Sequence, residues 1–119
     1  MKLLIVDDNV DILSGVTDYL SAVHTVVSFD DPLCALDYMK YHPVDLLIPD
    51  YEMPGISGLQ LAEAAADIIP ALPVIAMTGA SDVSQLKRSA YIQHVLHKPF
   101  LPSKLAALVQ SFAVELITK

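Results

Sequence analysis

Cysteine occurs once, as Cys34, so no internal disulfide can brace the chain. Arginine also occurs once, as Arg88. Fourteen Asp plus Glu outweigh seven Lys plus Arg for a formal charge of −7, which leaves no basic stripe for phosphate backbones. Direct nucleic-acid binding is therefore not expected. Charged residues make up only 18% of the chain against 54% hydrophobic, a balance that excludes intrinsic disorder. No apolar run approaches the ~18 residues that a membrane span needs, and Met1-Lys2 runs into a short apolar stretch with no signal-peptide cleavage pattern. No membrane association and a cytoplasmic location are the corresponding expectations. The 119 residues are expected to form one domain over 1–119, because either half alone would be too small to bury a core.

What is present is a rhythm of short apolar runs alternating with stretches of helical period, each boundary marked by Pro, Gly, Asp or Ser. The strands predicted are Leu3 to Val6, Thr25 to Phe29, Asp45 to Ile48, Pro73 to Met77 and Val95 to His97. Their continuous apolarity suggests a parallel sheet covered on both faces. Helices are predicted over Val10 to Leu20, Pro32 to Tyr41, Leu59 to Ile69, Val83 to Tyr91 and Pro102 to Leu116, with Leu33, Leu36 and Met39 as the inward stripe of the second. Right-handed crossovers then give an α/β fold, a doubly wound five-stranded parallel sheet with helices on both faces, flavodoxin-like with strand order 2-1-3-4-5. The ligand crevice of such a sheet lies at the carboxyl ends of its strands.

The residues just past those ends are mostly charged. Asp7 and Asp8 follow the first strand, Asp50 the third, Thr78-Gly79 the fourth and Lys98-Pro99-Phe100 the fifth. Three carboxylates against one ammonium leave an excess of negative charge that a confined site tolerates only with a cation. Oxygen-only ligands favour Mg²⁺ or Mn²⁺, and Mg²⁺ characteristically combines one or two carboxylates with waters and phosphate oxygens. Phosphoryl chemistry is implied. Taken singly each residue has a plainer reading: Asp8 or Asn9 as a helix cap, Asp50 as a loop acid, Thr78 as a turn residue, Lys98 as a solvated charge. Their convergence on one sheet edge is what those plainer readings do not explain. His24, His42, His94 and His97 lack ligand spacing and read as surface residues. Cys34 reads as a buried, inert thiol, and Tyr38 and Tyr41 as packing residues.

The motifs Leu4-Ile5-Val6-Asp7-Asp8-Asn9, Asp50 to Gly58, Met77-Thr78-Gly79 and Lys98-Pro99-Phe100 resemble those of the response-regulator receiver domains of two-component signalling, over essentially the whole chain. The resemblance implies that Asp50 is the phosphoacceptor and that the phosphoryl group comes from a sensor histidine kinase or a histidine phosphotransfer protein. It implies that Asp7, Asp8, Asp50 and the backbone carbonyl of Glu52 hold the metal, that Thr78 follows the phosphoryl group and that Lys98 pairs with it. Such a domain is a reversible switch acting on an effector protein or a fused output domain. It is a phosphoacceptor with self-catalysed phosphotransfer and dephosphorylation, not an enzyme acting on a separate substrate.

Several residues depart from the family pattern. Pro49 precedes Asp50 and removes a ladder donor. Glu52, two past Asp50, adds a carboxylate near the pocket mouth. Val95 stands three before Lys98, where the family's switch aromatic normally lies, and the Thr78 to Lys98 stretch is shorter than the common pattern. A short helix after Ser81 and a switch carried by the Thr78 to Tyr91 segment are expected. Two other functions remain open on the sequence: a degenerate receiver serving as an interaction module, and a phosphatase with an aspartyl nucleophile and Glu52 as its acid/base.

Overall fold

The computed structural model describes residues 1–118, with side chains through Val114. Strands β1 (Lys2–Val6), β2 (Thr25–Phe29), β3 (Leu46–Pro49), β4 (Ile75–Thr78) and β5 (His94–His97) alternate with helices α1 (Val10–Leu20), α2 (Pro32–Tyr41), α3 (Gly58–Ile68), α4 (Ser84–Arg88) and α5 (Pro102–Thr118). Every strand pairing is parallel. The period-2 alternation of strand side chains divides the apolar residues between two cores. Leu4, Val6, Leu47, Val74 and Ala76 face α2, α3 and α4, burying Ala35, Met39, Leu61, Ala65 and Leu86. Leu3, Ile5, Leu46, Ile48, Ile75 and Met77 face α1 and α5, burying Val16, Leu20, Leu105 and Val109.

The sheet is not one uninterrupted ladder. It comprises a run β2-β1-β3 and a run β4-β5, joined by isolated bridges at Leu47 to Val74 and Asp50 to Met77. Proline explains the gap. The Leu47 N–H donates to the Pro73 carbonyl at 3.0 Å and the Tyr51 N–H to the Met77 carbonyl at 2.8 Å. Every second amide of this strand thus faces β4, and the one between them belongs to Pro49, which has no N–H to offer the Ile75 carbonyl. Pro49 nonetheless lies inside β3, paired with Val6, whereas the sequence reading ended that strand at Ile48.

Three further expectations are corrected. Helix α2 turns Pro32, Ala35 and Met39 inward, which leaves Leu33 63% and Tyr41 77% exposed and places Cys34 on the surface. Of the expected stripe, Met39 is buried and Leu36 packs against the core, but Leu33 gives way to Ala35, whose small side chain lets the helix approach the sheet. Strand β2 is an edge strand, only partly buried. Helix α4 has five residues instead of the nine spanned by Val83 to Tyr91, in keeping with a short helix after Ser81; Val83 does not cap it, and Asp82 Oδ1 accepts the Ser84 N–H at 3.0 Å.

Candidate functional site

The carboxyl ends of four strands meet at one point. Val6 pairs with Pro49, so Asp7 and Asp50 emerge side by side, and Thr78 pairs with His97, so Thr78 and Lys98 do the same on the other run. Backbone bonds fix each position. The Asp50 N–H donates to the Val6 carbonyl at 2.7 Å, and the Lys98 N–H donates to the Thr78 carbonyl at 2.7 Å. The Lys98-Pro99 peptide is cis. Asn9 serves twice at the first strand end. Its side chain accepts from the Asp11 and Ile12 N–H groups at the start of α1, and its own N–H donates to Asp7 Oδ1 at 2.9 Å. Asn9, not Asp8, is therefore the cap, which leaves the exposed Asp8 carboxylate free of that duty.

Asp7 and Thr78 are fully buried and Asp50 is 3% exposed. The Lys98 ammonium spans the two acids, donating to Asp7 Oδ2 at 2.9 Å and lying 3.1 Å from Asp50 Oδ1. The second contact is an ion pair without hydrogen-bond alignment, so Asp50 Oδ1 is a buried oxygen with no hydrogen-bond partner. Burial, then the neighbouring Asp7 carboxylate, push Asp50 up from the usual 3.8 to about 7 despite Lys98. Burial alone would lower Lys98, but its contacts with Asp7 and Asp50 outweigh this and hold the ammonium above its ordinary value. The site is thus short of positive charge. Oxygens of Asp7, Asp8 and Asp50 lie within 4.8 Å of one another, and among the described residues this group has the composition of a divalent-cation site. Hard oxygen donors, one of them without a hydrogen bond, fit Mg²⁺, which needs few protein ligands.

Two contacts sharpen what the sequence places at the pocket mouth. Glu52 reaches into the pocket, where its carboxylate accepts from the Thr78 hydroxyl. Burial raises the Glu52 carboxyl, yet hydrogen bonds from Thr78 and from backbone N–H groups outweigh it and bring it below the usual range. Gly58, first residue of α3, lies so close to the acceptor strand that a Cβ there would sit 2.5 Å from the Asp50 carbonyl oxygen. Its N–H donates to the Tyr51 carbonyl at 2.9 Å, and the preceding Ser57 forms a capping box with Gln60. Gly55, with φ of 86°, makes the turn between them, a conformation that favours glycine. A Gly-x-x-Gly spacing after the acid is the signal for this loop; nothing local announces the Glu52 to Thr78 contact, which joins residues 26 apart.

Comparison with known proteins gives the family and the fold. The family described as response regulator receiver domain matches residues 3–110. The response regulator receiver protein CpdR of Brucella abortus is 31% identical over 105 residues, covering 83% of this chain and 85% of its own. The cyclic di-GMP phosphodiesterase response regulator RpfG of Xanthomonas campestris is 33% identical over 115 residues, covering 90% of this chain. The chain spans 18–30% of the length of the first curated relatives it matches. Among solved structures, the chemotaxis protein CheY4 of Vibrio cholerae superimposes with a TM-score of 0.85 at 26% identity, covering 93% of this chain and 97% of that one. Among the described residues no helix is long and apolar enough to cross a membrane.

Proposed function

The chain belongs to the response regulator receiver domain family, and from that premise and the pocket geometry we propose that it is a phosphorylation switch whose phosphoacceptor is Asp50. The observation that carries the reading is the buried Asp50 Oδ1, which accepts no hydrogen bond, pairs with the Lys98 ammonium at 3.1 Å and clusters with the Asp7 and Asp8 carboxylates. The proposed donor is a phosphohistidine of a sensor histidine kinase or a histidine phosphotransfer protein. An Asp50 oxygen attacks phosphorus as the N–P bond breaks, the bonding pair returns to the imidazole, and an acyl phosphate forms on Asp50. Water later cleaves that phosphate, releasing inorganic phosphate and restoring the carboxylate.

Two anions must meet for this transfer, so most of the catalysis is positioning and charge neutralisation. Asp7, Asp8, Asp50 and the Glu52 backbone carbonyl are the proposed Mg²⁺ ligands. The cation, when bound, supplies neutralising charge to the phosphoryl oxygens. Lys98 offers a compact ammonium already drawn to Asp50, and Thr78 offers a hydroxyl from the adjacent strand end. The reading places the chain in the cytoplasm, with an effector protein or fused output domain reading the phosphorylated form. A phosphatase using Glu52 as acid/base is disfavoured, since that carboxylate is engaged by Thr78.

Intact-mass measurement after acetyl phosphate treatment tests the proposal. One phosphoryl adduct is expected with Mg²⁺, none in EDTA, and none in Asp50→Asn under either condition. An adduct persisting in Asp50→Asn overturns the assignment.

A further inference from the structure

The Thr78 hydroxyl has one proton to donate, and in this structure that proton goes to Glu52. The same oxygen accepts the Ala80 N–H at 3.0 Å. Both capacities of the side chain are therefore in use before any phosphoryl group arrives. Thr78 is fully buried, its carbonyl is held by the Lys98 N–H, and as a β-branched residue it redirects its hydroxyl by a discrete step about χ1. A hydroxyl so placed has two destinations, Glu52 or the pocket, and it cannot serve both with one proton.

Resting on the reading of Asp50 as phosphoacceptor, we propose that Glu52 is a latch that competes with the phosphoryl group for the Thr78 hydroxyl and so holds the chain in its resting state. Three features suit it to that role. Glu52 stands two residues past Asp50 and is anchored to the acceptor strand, while Thr78 ends a strand of the other run, so the bond crosses between the two. The Glu52 side chain lies at an exposed position, so a released carboxylate turns into water and not into the core. The phosphoryl group carries negative charge, which repels the Glu52 carboxylate as it attracts the hydroxyl proton, so latch release and phosphoryl binding favour each other. The consequence travels through Ala80. Its N–H is bonded to the moving oxygen, and four residues later α4 begins, its start held only by Asp82 Oδ1, which accepts the Ser84 N–H at 3.0 Å.

The competing account is electrostatic: the Glu52 charge simply repels an anion and Thr78 is incidental. A double-mutant cycle on the full chain separates the two. Beryllofluoride, the probe for the phosphoryl group, is titrated with Mg²⁺ and followed by the amide resonances of Gly79 and Ala80. The proteins compared are the parent, Glu52→Ala, Glu52→Gln, Thr78→Ala and Glu52→Ala with Thr78→Ala. The latch gives about fivefold tighter beryllofluoride binding in Glu52→Ala, the scale of one hydrogen bond to an exposed charged acceptor. Once Thr78 is Ala the same change has an effect of less than about twofold. Glu52→Gln, which keeps an acceptor oxygen without the charge, stays nearer the parent. Thr78→Val repeats the cycle with the side-chain volume kept, so packing loss at a buried position does not decide the result. A gain that survives the loss of the Thr78 hydroxyl and appears equally in Glu52→Gln overturns the latch in favour of charge alone. A parent that binds beryllofluoride while Glu52→Ala binds no tighter overturns it outright. A parent that takes no beryllofluoride overturns the phosphoacceptor reading, and the latch with it.

Discussion

The β2-β1-β3 run and the β4-β5 run use strands of similar length, yet the first is braced where the second is not. On the first run, β1 is hydrogen-bonded on both sides, Asn9 caps α1, and the loop after Asp50 ends in the Ser57 capping box of an eleven-residue α3 that buries Leu61, Ala62 and Ala65. On the second, β4 pairs with β3 only at isolated bridges, and the helix that follows has five residues, one of them buried, and in place of a capping box a single Asp82 side chain that accepts the Ser84 N–H. The acids belong to the braced run and the hydroxyl and ammonium to the other. The difference teaches where a binding event has room to act: the acids are held by ladders and caps, and the groups that would answer a ligand stand on the run with fewer ties.

The largest break in this contrast comes from Gly58. Gly58→Ala puts a methyl group 2.5 Å from the Asp50 carbonyl oxygen and 2.9 Å from Tyr51 Cα, both backbone. A loss of about 3 kcal/mol in urea unfolding is expected, since backbone must shift. Gly15→Ala in α1, where nothing lies within 4 Å, is the control and is expected to gain about 0.5 kcal/mol. Equal effects would show that α3 is not seated against the acceptor strand.

Next in size is the strain of holding Asp50 buried. Its folded value of about 7 stands above the usual 3.8. In the metal-free protein its charging therefore opposes folding: the stability present below pH 3.8 is lost as pH rises through 7. Asp50→Asn in EDTA is expected to be about 2 kcal/mol more stable at pH 8, with the gain shrinking as pH falls toward 4. Chemical denaturation across that range checks it, and a gain independent of pH would place the cause elsewhere.

The capping contrast sets a third test. Ser57→Ala is expected to cost about 1 kcal/mol, and amide exchange within α4 is expected to be faster than in α3 by orders of magnitude. Similar protection in the two helices would erase the distinction. The smallest effect sharpens it: Pro49→Val restores a donor opposite the Ile75 carbonyl and is expected to add about 0.5 kcal/mol, net of the proline's loss. A slowly exchanging amide at position 49 would mark the closed seam.

Which of these features could be read beforehand follows from what kind of interaction makes them. The strands and the convergence of Asp7, Asp8, Asp50, Thr78 and Lys98 were legible because buried parallel strands write themselves as continuous apolar runs, and topology alone brings their ends together. Helix phase was less so. In α2 the pattern of large residues pointed to Leu33, but close approach to the sheet selected Ala35, and Tyr41 and Cys34 turned outward with it. The end of β3 lies one residue past the expected one because proline reads as a breaker, although its missing amide faces only one neighbour and the other pairing survives. The contact of Glu52 with Thr78 is not legible, since it depends on the side-chain geometry of a loop and a strand end that share no sequence signal.

The bond from the Lys98 N–H to the Thr78 carbonyl has a mechanical consequence. It rivets the two strand ends together, so the hydroxyl and the ammonium form a single jaw of a vise whose other jaw carries Asp7 and Asp50. Whatever is clamped between them pushes on the jaw as a whole, and the compliant joint is the line of sheet where Pro49 leaves out a rung.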